Sequence, residues 1–416
     1  MKGIIILVFA LFLNFLALSQ EGIVNQNVKV THETDTDKVE KQTLKNIEKV
    51  KKLAENDPDE YLPELSAYFN SLAAIYSNEE RFQEAEAMYL EALEVDKTLA
   101  KKNPKKYEYD VVIDMNNIAL FYQKTNRLQD AEDYYEQSLT ILRKLAEQSP
   151  ESYEPDLAVL LNNLAILCQN EKKYNQAEKY YLEALKTDKH IIIQNNEEYK
   201  SEYAKHLNNT AQFYQSQHQD SAMEKYLLES LEVRRELAKD NPQEYEKDLS
   251  IRLNNMAYYY ETQKEKNQAK DLYLEAIEID KHIIEKDITH QTHYSAHLNN
   301  LGNLYFEEKN YAKAEQFYLK TVEVDRQMQS YNPTILKSSI AIHLNNLANL
   351  YANTERYQQA EQFYKETLTI YRKLYKANPI KYKEDLITVL DNLARLYKRL
   401  NRNSESETLK QEIQSL

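Results

Sequence analysis

Apolar residues recur along the chain at helical spacing, in paired stripes separated by short polar breaks. Between Asp156 and His190, Leu161, Leu164, Ala165 and Cys168 fall at i, i+3, i+4 and i+7, the stripe of an amphipathic helix. Ala177, Tyr181, Ala184 and Leu185 form a second stripe, and the polar run Glu171 to Asn175 separates the two. The spacing predicts two helices folded back on each other as an antiparallel hairpin. A lone hairpin leaves an apolar face wet, so it needs neighbours. The chain supplies them: Ser71, Asn117, Asn163, Asn209, Asn255, Asn300, Asn346 and Asn392 share one register position, 46 residues apart except for a single step of 45.

Leu301-Gly302-Asn303-Leu304-Tyr305, followed by Ala314 and Tyr318, fits L-G-x-x-Y and A-x-x-x-F, and Leu72, Ala73 and Tyr76 with Ala85 and Tyr89 repeat it. Leu347, Ala348 and Tyr351 with Ala360 and Tyr364 do so again. The unit resembles the tetratricopeptide repeat, lengthened beyond the usual length of about 34 residues. The surplus lies in a longer second helix and a connector seen at Asn103-Pro104 to Tyr107, Asn241-Pro242 to Tyr245 and Asn378-Pro379 to Tyr382. Pro lacks an amide hydrogen and biases the residue before it away from helix, so each preceding helix should stop there. This longer form is similar to the repeats of kinesin light chain, which also carry L-N-N-L-A-x-L-Y. The resemblance implies an all-α, right-handed solenoid of about eight tetratricopeptide-like hairpins of 46 residues, with first helices lining a concave side that holds extended partner segments.

Lys2 precedes an apolar run from Ile4 to Leu18, with small residues at Ala17 and Ser19. Residues 1–19 read as a cleaved secretory signal peptide, which makes the mature protein periplasmic or secreted. A retained anchor is the alternative, but the run is shorter than the roughly 20 apolar residues a span needs. Residues 20–37 are polar and aperiodic, a flexible linker, and residues 38–416 carry the solenoid. Lys38 to Glu55 resembles the back half of a repeat and should cap the N-terminal end. At the other end Ser406 and Lys410 replace small and aromatic core residues, as a polar capping helix would require. Repeat four departs most from the pattern, with Thr210, Asp220 and Met223 where Leu, Tyr and Ala usually sit, and is expected to be a softer joint.

Composition removes several function classes. The net charge of −14 becomes −15 once Lys2 is lost with residues 1–19, so nucleic acid and anionic membranes are poor partners. The single Cys168 cannot form an internal disulfide and occupies a position where other repeats have Tyr, as a core substitute. With only Gly22 and Gly302 in the mature chain there is no phosphate-cradling loop, and no H-E-x-x-H or G-x-S-x-G occurs. His290, His293 and His297 have a spacing that could hold a metal. Against that, His297 shares its register with His206 and His343, which favours a repeat-position role; no metal or cofactor is expected. The tyrosines at Tyr122, Tyr135, Tyr181, Tyr214, Tyr260, Tyr273, Tyr305, Tyr318, Tyr351 and Tyr364 fall on core positions.

The Asn pairs are the candidate site. Asn is a poor mid-helix residue, losing roughly 0.6 kcal/mol against Ala, so two lines of seven need hydrogen-bond partners to be neutral. At about 100° per residue, the line Asn70, Asn116, Asn162, Asn208, Asn254, Asn299 and Asn345 lies on the flank, suited to bonding the adjacent repeat. The line Asn117, Asn163, Asn209, Asn255, Asn300, Asn346 and Asn392 points away from the core. There its amides can bond the backbone of an extended peptide, with Ile113, Leu120, Val159, Ile166, Ile251 and Tyr258 as apolar contacts; inter-helix bonding is the alternative. Some family members grip a partner's carboxylate with cations around two Asn. Lys205, Asn209 and Asn255 begin such a set here, but Ala296 and Asn300 occupy the closing positions. Arg395, Arg399 and Arg402, following Asn392 at helical spacing, are the better anion-binding candidates. The chain thus reads as a non-catalytic protein-interaction scaffold for a protein or peptide partner, of undetermined oligomeric state. A regulatory partner of an envelope signalling sensor, or an enzyme with a groove active site, are the alternatives.

Overall fold

The computed structural model describes residues 35–193, 199–331 and 337–416, and every regular element among them is a helix. The apolar N-terminal run and residues 20–34 of the expected linker lie outside the described residues. Asp35 to Asp37, assigned to that linker from the sequence, instead begin the first helix, α1 (Asp35–Ala54). No helix among the described residues is long and apolar enough to cross a membrane.

The chain divides into two compact units, meeting between Tyr226 and Leu227. Unit 1 contains α1, α2 (Pro58–Asn78), α3 (Phe82–Lys102), α4 (Pro104–Lys124), α5 (Leu128–Gln148), α6 (Pro150–Asn170), α7 (Tyr174–Ile193) and α8 (Lys200–Ser216). The helix α9 (Asp220–Asp240) carries the division. Unit 2 continues with α10 (Pro242–Thr262), α11 (Lys266–Ile284), α12 (Gln291–Glu307), α13 (Tyr311–Tyr331), α14 (Lys337–Asn353), α15 (Tyr357–Ala377), α16 (Pro379–Arg399) and α17 (Asn403–Ser415). In unit 1, α2/α3, α4/α5 and α6/α7 pack as hairpins; in unit 2, α10/α11, α12/α13, α14/α15 and α16/α17 do. The second helix of each hairpin packs on the first helix of the next, α3 on α4 and α15 on α16 for example.

Two local devices set this repeat. After each first helix one residue takes the left-handed conformation: Glu80, Asn126, Lys172, His218, Lys264, Lys309, Glu355 and Asn401, with φ between 57° and 66°. The turn closes by a backbone bond back to the helix, as from Arg81 N to the Tyr76 carbonyl at 2.9 Å and from Arg127 N to that of Tyr122 at 2.8 Å. None of the eight is glycine, so each carries a left-handed cost of roughly 1–2 kcal/mol that hairpin packing must offset. The second device is the proline junction. Asn103 both ends α3 and starts α4, with φ −140° and ψ 81°, and Pro104 fills the first helical position, where a missing amide hydrogen costs nothing.

The core follows the repeat. Tyr135, Tyr181 and Tyr273 are buried, and their hydroxyls donate to Gln123, Gln169 and Glu261 on the first helix of the same hairpin at 3.4, 2.8 and 2.8 Å. Cys168 is fully buried, and burial pushes its thiol up to about 11, as befits a packing residue. In repeat four Thr210 is buried and bonds the His206 carbonyl, and Met223 fills the Ala position. The C-terminal cap differs from expectation at one residue. Ser406 is buried, its hydroxyl donating to the Ala394 carbonyl at 2.9 Å, because it replaces an alanine that packs against the first helix; Lys410 is exposed.

Candidate functional site

Within each unit the first helices form the inner face. Their backbones approach one another, α6 with α8 in unit 1, and α10 with α12, α12 with α14 and α14 with α16 in unit 2. Consecutive second helices stay farther apart and are spanned by long side chains, Arg143 to Glu183 at 2.6 Å in unit 1 and Arg326 to Glu366 at 3.1 Å in unit 2. A stack that is closer on one side is concave on that side, so residues opposite the core on first helices face inward.

In unit 1 this face carries Ile113 and Leu120 from α4 and Val159 and Ile166 from α6, all half-buried. Asn117 and Asn163 stand among them, half-buried, and neither side chain spends its amide on another group among the described residues. Asn209 on α8 does: it donates to Asn162 Oδ1 at 3.2 Å. Farther along, Tyr109 donates to Asp156 at 2.6 Å and ties α4 to α6, while Asn70 donates to Asp114 at 2.6 Å and ties α2 to α4. Asp110 and Asp156, one turn before Ile113 and Val159, form no ion pair among the described residues. Burial raises both: Asp110 reaches about 6, with the nearby Asp96 adding to the effect, and Asp156 rises against the lowering hydrogen bond from Tyr109.

In unit 2 the inward Asn line is committed. Asn300 donates to Asn254 at 3.0 Å, Asn346 to Asn299 at 3.0 Å and to Asn303 at 3.3 Å, and Asn392 to Asn345 at 3.3 Å. Outward and flanking Asn of successive repeats are thus two halves of one bond, the inter-helix alternative for the outward line. Asn255 remains exposed beside Tyr258, which is 61% exposed, with Ile251 half-buried on the same helix. The acidic register position here is Asp248, covered by Arg234 and Arg252.

Arg402 does not belong to an open anion site. It lies 4.2 Å from the Tyr397 ring centroid and pairs with Glu361 at 2.7 Å and with Glu405. Arg81, Arg127 and Arg356 do the same over Tyr76, Tyr122 and Tyr351, reaching Glu40, Glu86 and Glu315 of the preceding helix pair. The recurrence of a cation there, Lys173 included, was the signal in the sequence for a structural role. Arg395 pairs with Asp391 but is 73% exposed in its side chain, and Arg399 reaches only the Ala352 carbonyl at 3.5 Å, so these two retain donors. Lys205, which would start a carboxylate clamp, pairs with Glu202 at 2.6 Å.

A set of buried acid pairs between repeats was not anticipated from the sequence. His206 meets Asp188 at 2.8 Å, His343 meets Asp325 at 2.6 Å, and His290 and His297 share Asp280 at 2.8 and 2.6 Å. Burial opposes ionisation of Asp280, but the bonds from His290 and His297 outweigh it and hold its carboxyl below the ordinary range. Those two rings therefore face a carboxylate in the interior, and only His293 of the three is exposed. Among the described residues no group of three or more His, Cys, Asp or Glu is arranged to hold a metal ion. In unit 1, which also holds the His206–Asp188 pair, an earlier equivalent place carries Asp96 and Asp114 instead. Ser66 donates to Asp96 at 2.7 Å, and burial followed by the Asp96 charge pushes Asp114 well above the ordinary carboxylate range.

Models of the tetratricopeptide repeat match residues 65–99, 110–190, 252–283, 295–327 and 340–380, together just over half of the chain. Among solved structures, BtubC from P. vanneervenii is 24% identical over 60% of this chain and 92% of its own, with a TM-score of 0.49. A signal transduction ATPase with a tetratricopeptide repeat sensor, from Pyrococcus horikoshii, is 13% identical over 93% of this chain, with a TM-score of 0.50. This chain spans 54% of that ATPase, and the likeness shows the fold alone. A kinesin light chain repeat protein from Podosopora anserina is 17% identical over 50% of this chain and 92% of its own, with a TM-score of 0.36. No curated protein sequence matches the chain.

Proposed function

The chain belongs to the tetratricopeptide repeat family, and from that premise we propose that it is a non-catalytic interaction module holding an extended segment of a protein partner on the inner face of its first helices. The observation that carries this reading is the inner face of α4 and α6. There the amides of Asn117 and Asn163 have no partner among the described residues and stand among the half-buried Ile113, Leu120, Val159 and Ile166. A side-chain amide donates and accepts at once, which matches a peptide unit, and apolar positions on either side take the segment's side chains. The titratable groups buried in the fold are engaged between repeats rather than gathered around a cavity, which favours binding over chemistry. The same reading places the mature chain in the periplasm or outside the cell, on the strength of the apolar run from Ile4 to Leu18.

The test is capture of the partner from extracts of the source cells by the chain without residues 1–19, native or carrying Ile113→Glu and Ile166→Glu. The inner-face variant should lose capture by at least tenfold with its circular dichroism unchanged, while Gln137→Glu on the second helix α5 should keep it. Capture unaffected by the inner pair, or lost only with the α5 change, would count against the reading. N-terminal sequencing of the exported protein, expected to begin near Gln20, checks the location.

A further inference from the structure

The inner face of unit 1 carries two kinds of group that ask for different things of a partner. Ile113, Leu120, Val159 and Ile166 are half-buried apolar side chains, and Asp110 and Asp156 sit one turn before Ile113 and Val159 on the same two helices. Neither carboxylate forms an ion pair among the described residues: Lys106, one turn from Asp110, favours its charged form but is outweighed by burial and the Asp96 charge, and Asp156 receives the Tyr109 hydroxyl. A half-buried carboxylate without a paired cation is costly, and burial raises both toward protonation. An arriving cation would relieve that cost, whereas an acidic partner would add to it.

We propose that the inner face of α4 and α6 selects a segment in which a basic side chain and two apolar side chains project from the same side, the cation reaching Asp110 or Asp156 and the apolar groups covering Ile113, Leu120, Val159 and Ile166. The spacing fits. Residues 110 to 120 span about 15 Å of helix at 1.5 Å per residue, and side chains i, i+2 and i+4 of an extended segment, about 7 Å apart, cover the same length. Strict alternation of basic and apolar residues would put the two kinds on opposite sides and would not fit. The required order is basic, any, apolar, any, apolar. The backbone of such a segment passes over Asn117 or Asn163, whose amides are free to bond it. This rests on the proposed function and adds the chemical class of its ligand.

The experiment is fluorescence anisotropy of the chain without residues 1–19 against synthetic peptides made of two tandem copies of Lys-Ser-Leu-Ser-Leu. Matched peptides replace Lys by Glu or Leu by Ser. The Lys-and-Leu peptide should bind at least tenfold tighter than either. Asp110→Asn with Asp156→Asn should weaken it about tenfold, and Ile166→Thr by severalfold, with melting curves confirming the fold. Asp133→Asn with Glu136→Gln, the same charge change on α5, should have no effect. Equal binding of the Lys and Glu peptides would overturn the cationic specificity while leaving the groove reading intact. Weakening by the α5 pair as large as by the inner pair would reduce the effect to net charge and overturn the proposal. Binding indifferent to Ile166→Thr and to both aspartates would overturn the groove reading as well.

Discussion

The two units use one repeat to opposite ends on their inner faces. In unit 2, Asn300, Asn346 and Asn392 each donate to an Asn of the preceding repeat, and Asp248 is closed off by Arg234 and Arg252. In unit 1, among the described residues, the equivalent Asn117 and Asn163 are unspent, and Asp110 and Asp156 form no ion pair. The buried sites between repeats differ as well: Asp280 meets two histidines in unit 2, whereas unit 1 holds Asp96 with Asp114 in addition to a single Asp188–His206 pair. The difference teaches that the inward Asn is not a binding residue by type. It knits repeats together where the oxygen of its neighbour accepts the bond, whereas beside Asn117 the neighbouring Asn70 donates to Asp114 and its own oxygen is left without a hydrogen-bond partner.

The largest expected effect breaks the unit 2 side of the comparison. Asp280→Ala leaves His290 and His297 buried without their carboxylate, and removing one partner of such a set costs about 3–5 kcal/mol. Hydrogen exchange should accelerate in α11 and α12 and stay near native in α4 to α6. Equal acceleration in both units would show that they do not differ in this way.

The next inverts the pH response. Asp114 is raised by burial and by Asp96, so its contribution is fully present below the ordinary carboxylate range and is lost as pH rises toward about 9. Asp280 is lowered, so its contribution is present above that range and is lost as pH falls through its depressed value. Unit 1 should therefore loosen on the alkaline side and unit 2 on the acid side. Asp114→Asn should remove the alkaline loss and stabilise unit 1 by on the order of 1–3 kcal/mol at pH 8, with little change at pH 4. Hydrogen exchange across pH, read separately on α4 and α12, checks both signs; parallel profiles in the two units would contradict them.

A smaller effect sharpens the Asn contrast. Asn346→Ala removes two inter-repeat bonds and should cost about 1 kcal/mol in thermal or urea melts, whereas Asn163→Ala should change stability by less than about 0.5 kcal/mol. If the Asn163 variant melts lower than the Asn346 variant, the assignment of roles is reversed.

Much of the fold was legible in the chain, because stripe periodicity, proline junctions and buried tyrosines are all local or strictly repeated signals. The division of labour within the Asn pairs was not. A helical wheel gives the angle of Asn163 or Asn346 but not the acceptor on the next helix, and the angle is the same in both. The bond from Asn346 to Asn299 joins residues 47 apart, and only the stack reveals that they touch. Arg402 was misplaced for the same reason: its outward angle suggested an open cation, while its partner Glu361 lies 41 residues back. Ser406 reads as part of a polar cap, and its burial follows from a register position where alanines are buried. The His–Asp pairs were half visible, since the shared register of His206, His297 and His343 was noted but Asp188, Asp280 and Asp325, which recur with them, were not.

The central claim is that the inner face of α4 and α6 in unit 1 is open to a partner segment and that of α12, α14 and α16 in unit 2 is closed by its own Asn bonds. Val159 and Ile342 occupy the same register position in the two units, and Gln137 lies on the second helix α5. A photo-crosslinking residue placed at each position in turn, in the chain without residues 1–19 and in the presence of the Lys-and-Leu peptide, reads the claim directly. The account predicts a peptide adduct from position 159 and background yields from 342 and 137; an adduct from 342 or 137 as abundant as that from 159 would contradict it.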